Sequence, residues 1–155
     1  MMKKYGMIVT AALFMIAVSS CNKTKVNSER FIKTGDWKVT ELSINGVNEE
    51  ELPTWEIDDC DVYDESCFGE WKNDEGGHAE FVWQFREKAN AFEISHQDSG
   101  EHEHEHADEE AAEQAYSFSG VYEVVEKSKK TMKFQSMSTI GNNGSSVKIT
   151  IEKLE

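Results

Sequence analysis

From Ala79 onward apolar side chains recur at every second position, and that period restricts the chain to antiparallel β-structure. Phe81, Trp83 and Phe85 share one strand face, with Glu80, Val82 and Gln84 on the other. Phe92, Ile94 and His96 repeat the period after a turn near Lys88-Ala89-Asn90. Tyr116, Phe118, Gly120, Tyr122 and Val124 resume it, Met132 and Phe134 mark another strand, and Val147, Ile149 and Ile151 close the chain. A polar turn over residues 126–130 and the string Gly141-Asn142-Asn143-Gly144 separate these last strands. Upstream, Trp37, Val39, Leu42 and Ile44 lead into Asn45-Gly46, the dipeptide of a tight hairpin. Parity slips between Val39 and Leu42, which predicts a bulge or a two-sided strand. Residues 49–75 hold twelve acids and the only proline, and they read as a long excursion with a short strand near Thr54 to Ile57. No segment beyond the N-terminal leader shows a sustained apolar stripe at the helical period. Successive strands with short turns predict an all-β fold, an up-and-down meander that curls into a barrel or half-barrel.

The N-terminus has a different grammar. Lys3 and Lys4 precede an apolar run from Met7 to Val18, twelve residues long. A membrane span takes about 20 residues, so the run reads as the core of a secretory signal. Val18-Ser19-Ser20-Cys21 follows, small residues ahead of a cysteine. This resembles the lipobox of bacterial lipoproteins, in which the cysteine is acylated and becomes the first mature residue. The alternative is an ordinary signal peptide with a chance cysteine. The expected organisation is a signal peptide over 1–20, a lipidated polar tether over 21–34 with little to bury, and one β domain over 35–155. Asn22, rather than an aspartate, follows the cysteine; by the same resemblance the destination is the outer membrane of the cell envelope.

Cleavage before Cys21 leaves 135 residues, enough for one domain with a real core. The removed segment holds two lysines and no acid, so the mature chain carries 14 basic and 30 acidic residues, a net charge of −16. Such a charge repels phosphates and argues against nucleic acid as a partner. It also argues against lying flat on anionic lipid and favours solubility, cations or basic surfaces. With Cys21 assigned to lipid, Cys60 and Cys67 remain as a pair. In an oxidising compartment a disulfide is the default, and its short loop is worth about 2.5 kcal/mol. The alternative is a two-thiolate metal site, although six intervening residues exceed the gap of zinc knuckles.

Together these segments carry a resemblance. Gly35-Asp36-Trp37 is a G-x-W strand opening, and Tyr116 to Val125, Met132 to Phe134 and Val147 to Lys153 form a closing series of hairpins. With the lipobox and the cysteine pair, the chain looks like lipocalin-like lipoproteins of the Bacteroidetes type. The resemblance spans about residues 35–155 and implies a small lipocalin-like barrel without supplying a defined activity; the expected role is a binding domain whose barrel mouth holds a small apolar or amphipathic ligand. The acidic segment 49–75 and a His/Glu insert depart from that pattern. Trp83, Phe85, Phe92, Phe118 and Tyr122 face the expected barrel interior. They are the candidate ligand-binding side chains, the alternative being plain core packing with Phe134.

The sharpest local string is Glu101-His102-Glu103-His104-Glu105-His106. His102, His104 and His106 share one side of an extended chain, and imidazoles with carboxylates suit zinc or copper. A solvated acidic loop with adventitious metal affinity is the other reading. The same string contains H-E-x-x-H, but it lacks the apolar-backed helix that a zinc peptidase needs. Asp58, Asp59, Asp61, Asp64 and Glu65 could offer oxygens to calcium, yet EF-loop spacing is absent. His78 and His96 stand alone. No nucleophile elbow, phosphate loop or triad signature is present, so the expectation is a binding protein without a catalytic site or required cofactor. A structural lipoprotein that binds another protein is a further reading.

Overall fold

The computed structural model describes residues 23–61, 67–96 and 108–155. The leader with Cys21, and the string with His102, His104 and His106, lie outside the described residues. Nine strands form one antiparallel sheet: β1 (Asp36–Ile44), β2 (Val47–Asn48), β3 (Thr54–Ile57), β4 (Cys67–Lys72), β5 (His78–Arg86), β6 (Ala91–His96), β7 (Gly120–Lys127), β8 (Thr131–Ser136) and β9 (Val147–Lys153). Each strand pairs with its sequence neighbour, except that β2 and β3 both pair with β1 along one edge. The other edge of β1 pairs with β9 over residues 37–44. That pairing closes an eight-stranded up-and-down barrel, the lipocalin-like architecture expected from the alternation.

Local chemistry accounts for the turns. Asn45 and Gly46 both have positive φ, 53° and 82°, as a two-residue hairpin of primed type requires. The register with β9 shifts between Val39 and Glu41, where the parity slip lies. The excursion is shorter than expected. Residues 67–72 form a full barrel strand whose Cys67, Gly69 and Trp71 point inward. Only residues 58–66 separate β3 from β4, and the Cys60–Cys67 disulfide bridges them with a Cα–Cα distance of 5.8 Å.

Eight strands enclose a space that side chains can fill, and here aromatic rings fill it. Trp37, Trp55, Trp71 and Trp83 are all at most 1% exposed. A column of rings runs from Phe31 to Phe92 (5.4 Å between centroids), Trp55 (6.3 Å), Trp71 (5.5 Å) and Phe118 (6.2 Å). Phe134 stacks on Phe92 at 4.6 Å.

The two ends of that column belong to helices, and both correct the sequence reading. Residues 23–34 form a helix, α1, rather than a tether with little to bury. Phe31 is fully buried, and its ring meets Trp37, Trp83, Phe85 and Phe92. The Trp37 indole N–H donates to the Phe31 carbonyl at 3.2 Å. Asn27 and Ser28 are buried on the same face, small enough for the helix to lie close. Gly35, at φ 73°, ends the helix by donating its N–H to the Ile32 carbonyl. The folded domain therefore begins well before Gly35.

The second helix, α2 (Glu109–Ser117), takes the place of the strand expected at Tyr116 and Phe118. The Asp108 side chain caps it by accepting from the Glu110 N–H at 2.9 Å. Ala111 and Ala115, one turn apart, are its buried face, and Tyr116 is half exposed. Phe118 is the C-cap and is buried. The α1 helix stoppers the end where β1 begins, and α2 the end where β1 finishes.

Candidate functional site

At the α2 end, the β1–β2 hairpin, the segment after it and α2 flank an open cleft of about 550 Å³. Its floor is apolar, made of Ile44, Ala111 and Phe118. Its walls carry Glu49, Glu50, Glu51, Glu110 and Glu113, with Asn48, Asn73, Gln114 and Ser117 between them. Gln114 ties the parts together. Its Oε1 accepts from the Trp71 indole N–H at 2.8 Å, and its Nε2 donates to the Glu51 carbonyl at 3.3 Å. Beneath the helix start, Asp108 donates its backbone N–H to the His78 carbonyl. A Cβ on Gly77 would overlap the Asp108 carboxylate, so glycine is needed where this turn passes the helix.

The electrostatics are one-sided. None of the five glutamates makes an ion pair among the described residues. Glu51, beside Glu110, raises the Glu110 pKa above the ordinary carboxylate range, with desolvation, Glu75 and Asp108 adding in the same direction. A cation in the cleft would relieve this repulsion, and an apolar tail could lie on the floor. Among the described residues no cluster of three or more His, Cys, Asp or Glu side chains is arranged to hold a metal ion.

The five candidate ligand-binding aromatics do not form one site. Trp83, Phe85 and Phe92 pack beneath Phe31 at the α1 end. Tyr122 is buried in the barrel, its hydroxyl donating to the Phe118 carbonyl at 2.5 Å, and burial raises its pKa. Phe118 lines the cleft. The Trp55 indole N–H is buried with no hydrogen-bond partner. His96 places Nδ1 2.6 Å from the Glu80 carbonyl, and His78 is exposed at the start of β5. Asp58 has its pKa raised by desolvation and by Glu70 and Glu56, partly countered by Lys72. The segment that carries His102, His104 and His106 joins His96 to Asp108, so both its attachment points lie at the cleft end.

The cleft glutamates were absent from the sequence-based candidates. Glu49 to Glu51 read there as part of the acidic excursion over 49–75, and the one recognisable signal of the five was clustered acid without neighbouring base. No protein-family model, curated protein or solved structure matches the chain.

Proposed function

We propose that this chain is a lipid-anchored envelope lipoprotein whose lipocalin-like barrel binds a small amphipathic cation at the cleft beside α2. The cleft carries the reading: an apolar floor under unpaired carboxylates, in a volume typical of small-ligand sites. Packed rings occupy the barrel interior, which favours the mouth over the interior as the place for a ligand. The anchor rests on the leader from Lys3 to Cys21.

The test of binding is calorimetric titration of the mature chain with octylammonium, using octanol and putrescine as apolar-only and charge-only controls. Octylammonium is expected to bind more tightly than either control, and Glu110→Gln with Glu113→Gln to weaken it. Octanol binding as well as octylammonium, unaffected by the double substitution, would move the ligand to the barrel interior. Heat from none of the three would reject the cleft as a small-molecule site. The anchor is tested separately, by fractionating cells that express Cys21→Ser. Release of this variant from the membrane is expected, and retention would reject lipidation at Cys21.

A further inference from the structure

Net charge conceals how charge is distributed along the barrel. Among the described residues, the segments at the α2 pole, residues 44–54, 72–78, 96, 108–120 and 136–147, contain nine acids and one base, Lys72. Lys72 is itself paired with Glu56 and Glu70. Those at the α1 pole, residues 23–36, 57–61, 67, 86–91, 127–131 and 153–155, contain seven acids and ten bases. The bases group on α1, on the β5–β6 turn and on the β7–β8 turn, whereas Asp58, Asp59 and Asp61 sit on the β3–β4 connection. Lys23, Lys33, Lys88 and Lys129 are exposed and make no ion pair among the described residues. Phe31 and the Trp37–Phe31 hydrogen bond fix α1 to the barrel, so its lysines move with the domain.

The geometry points to the α1 pole as a docking face for an anionic phospholipid surface, which holds the barrel upright with its cleft facing away from the bilayer. This rests on the anchor reading, because residue 23, the first described one and two positions after Cys21, is already helical. An anchor this close to a fixed helix leaves only the α1 pole within reach of the headgroups. The two poles are separated by the length of β5, nine residues or about 30 Å. The Debye length at physiological salt is about 8 Å, so the acids of the far pole are screened from the membrane. Juxtamembrane lysines and arginines are attracted to anionic headgroups. The electrical asymmetry and the anchor therefore favour the same orientation.

The experiment couples the mature chain through Cys21 to a maleimide lipid in vesicles of phosphatidylcholine, with and without phosphatidylglycerol. The Cys60–Cys67 disulfide leaves Cys21 as the single free thiol. Lysine acetylation is then mapped residue by residue. On phosphatidylglycerol vesicles Lys23, Lys33, Lys88 and Lys129 are expected to react roughly threefold more slowly than on neutral ones. Lys148, on β9 and outside the α1 pole, should be unchanged. Lys33→Glu with Lys88→Glu and Lys129→Glu, all at exposed positions, should abolish the slowing at Lys23. Equal slowing at Lys148, or none at the α1 pole, overturns the proposal. Because the lipid is supplied chemically, that failure is distinct from failure of the anchor, which Cys21→Ser fractionation reports.

Discussion

Replacing Phe31 by alanine separates a helix that completes the barrel from a tether that merely precedes it. Phe31 is fully buried, with ring centroids of Trp37, Trp83, Phe85 and Phe92 at 5.5, 4.7, 5.8 and 5.4 Å. Truncating a buried phenylalanine costs about 3–5 kcal/mol, from lost transfer energy and the cavity left behind. Collapse is limited here. The Gly35 turn and the Trp37 indole bond hold the C-terminal end of the helix in place, and the barrel rings are held by their strands. The loss should therefore lie near 4 kcal/mol. For a domain of this size that is a fall in melting temperature of about 10–15 °C. The assay is urea and thermal denaturation of the mature chain, followed by tryptophan fluorescence. Val26→Ala, on the outer side of the same helix at 43% exposure, is the control and should cost less than about 0.5 kcal/mol. A Phe31→Ala protein within about 0.5 kcal/mol of the parent would refute the reasoning, because the helix would then contribute no core.

Three further outcomes follow from the same geometry and sequence. Trp71→Phe should destabilise more than Trp55→Phe by about 1–2 kcal/mol in urea. The first strips the Gln114 Oε1 of its donor, whereas the second removes an indole N–H that has no partner; equal losses would mean that Trp55 is satisfied. Glu110→Gln should raise the melting temperature at neutral pH. The folded-state pKa of Glu110 is raised, so its ionisation opposes folding as pH climbs through that value. The gain over the parent should therefore shrink as pH falls into the carboxylate range, and a gain that grows in acid would contradict the repulsion. Replacing His102, His104 and His106 together by alanine should abolish stoichiometric zinc or copper binding in calorimetry while leaving the melting temperature unchanged. Unchanged affinity would locate any metal elsewhere.

The barrel was legible because its code is local. A strand with one face in the core must alternate, and Phe81, Trp83 and Phe85 state the period without help from the rest of the chain. Asn45-Gly46 likewise announces its turn by φ alone. The helices were not legible. The inner face of α1 rests on Phe31 with Asn27 and Ser28, and that of α2 on Ala111 and Ala115; neither makes an apolar stripe. Tyr116 and Phe118 also sit two apart, which extended a period of two into a helix that ends at Ser117. In β4, Cys67, Gly69 and Trp71 alternate inward, but only Trp71 carries a large apolar side chain, so the period was muted by the acids around it.

By itself, then, the sequence determined most of the strands, with β4 the exception, their antiparallel order and their principal turns, because alternation and turn chemistry act over a few residues. The tertiary structure decided three other things. Pairing of β1 with β9 closed the sheet, Phe31 and Phe118 sealed its two ends, and closure brought Glu49 to Glu51 against Glu110 and Glu113 around one cleft. Each joins residues far apart in the chain, whose contact depends on the fold being complete. Charge follows the same division: the net value is a property of composition, and its separation onto opposite poles exists only once the barrel is closed.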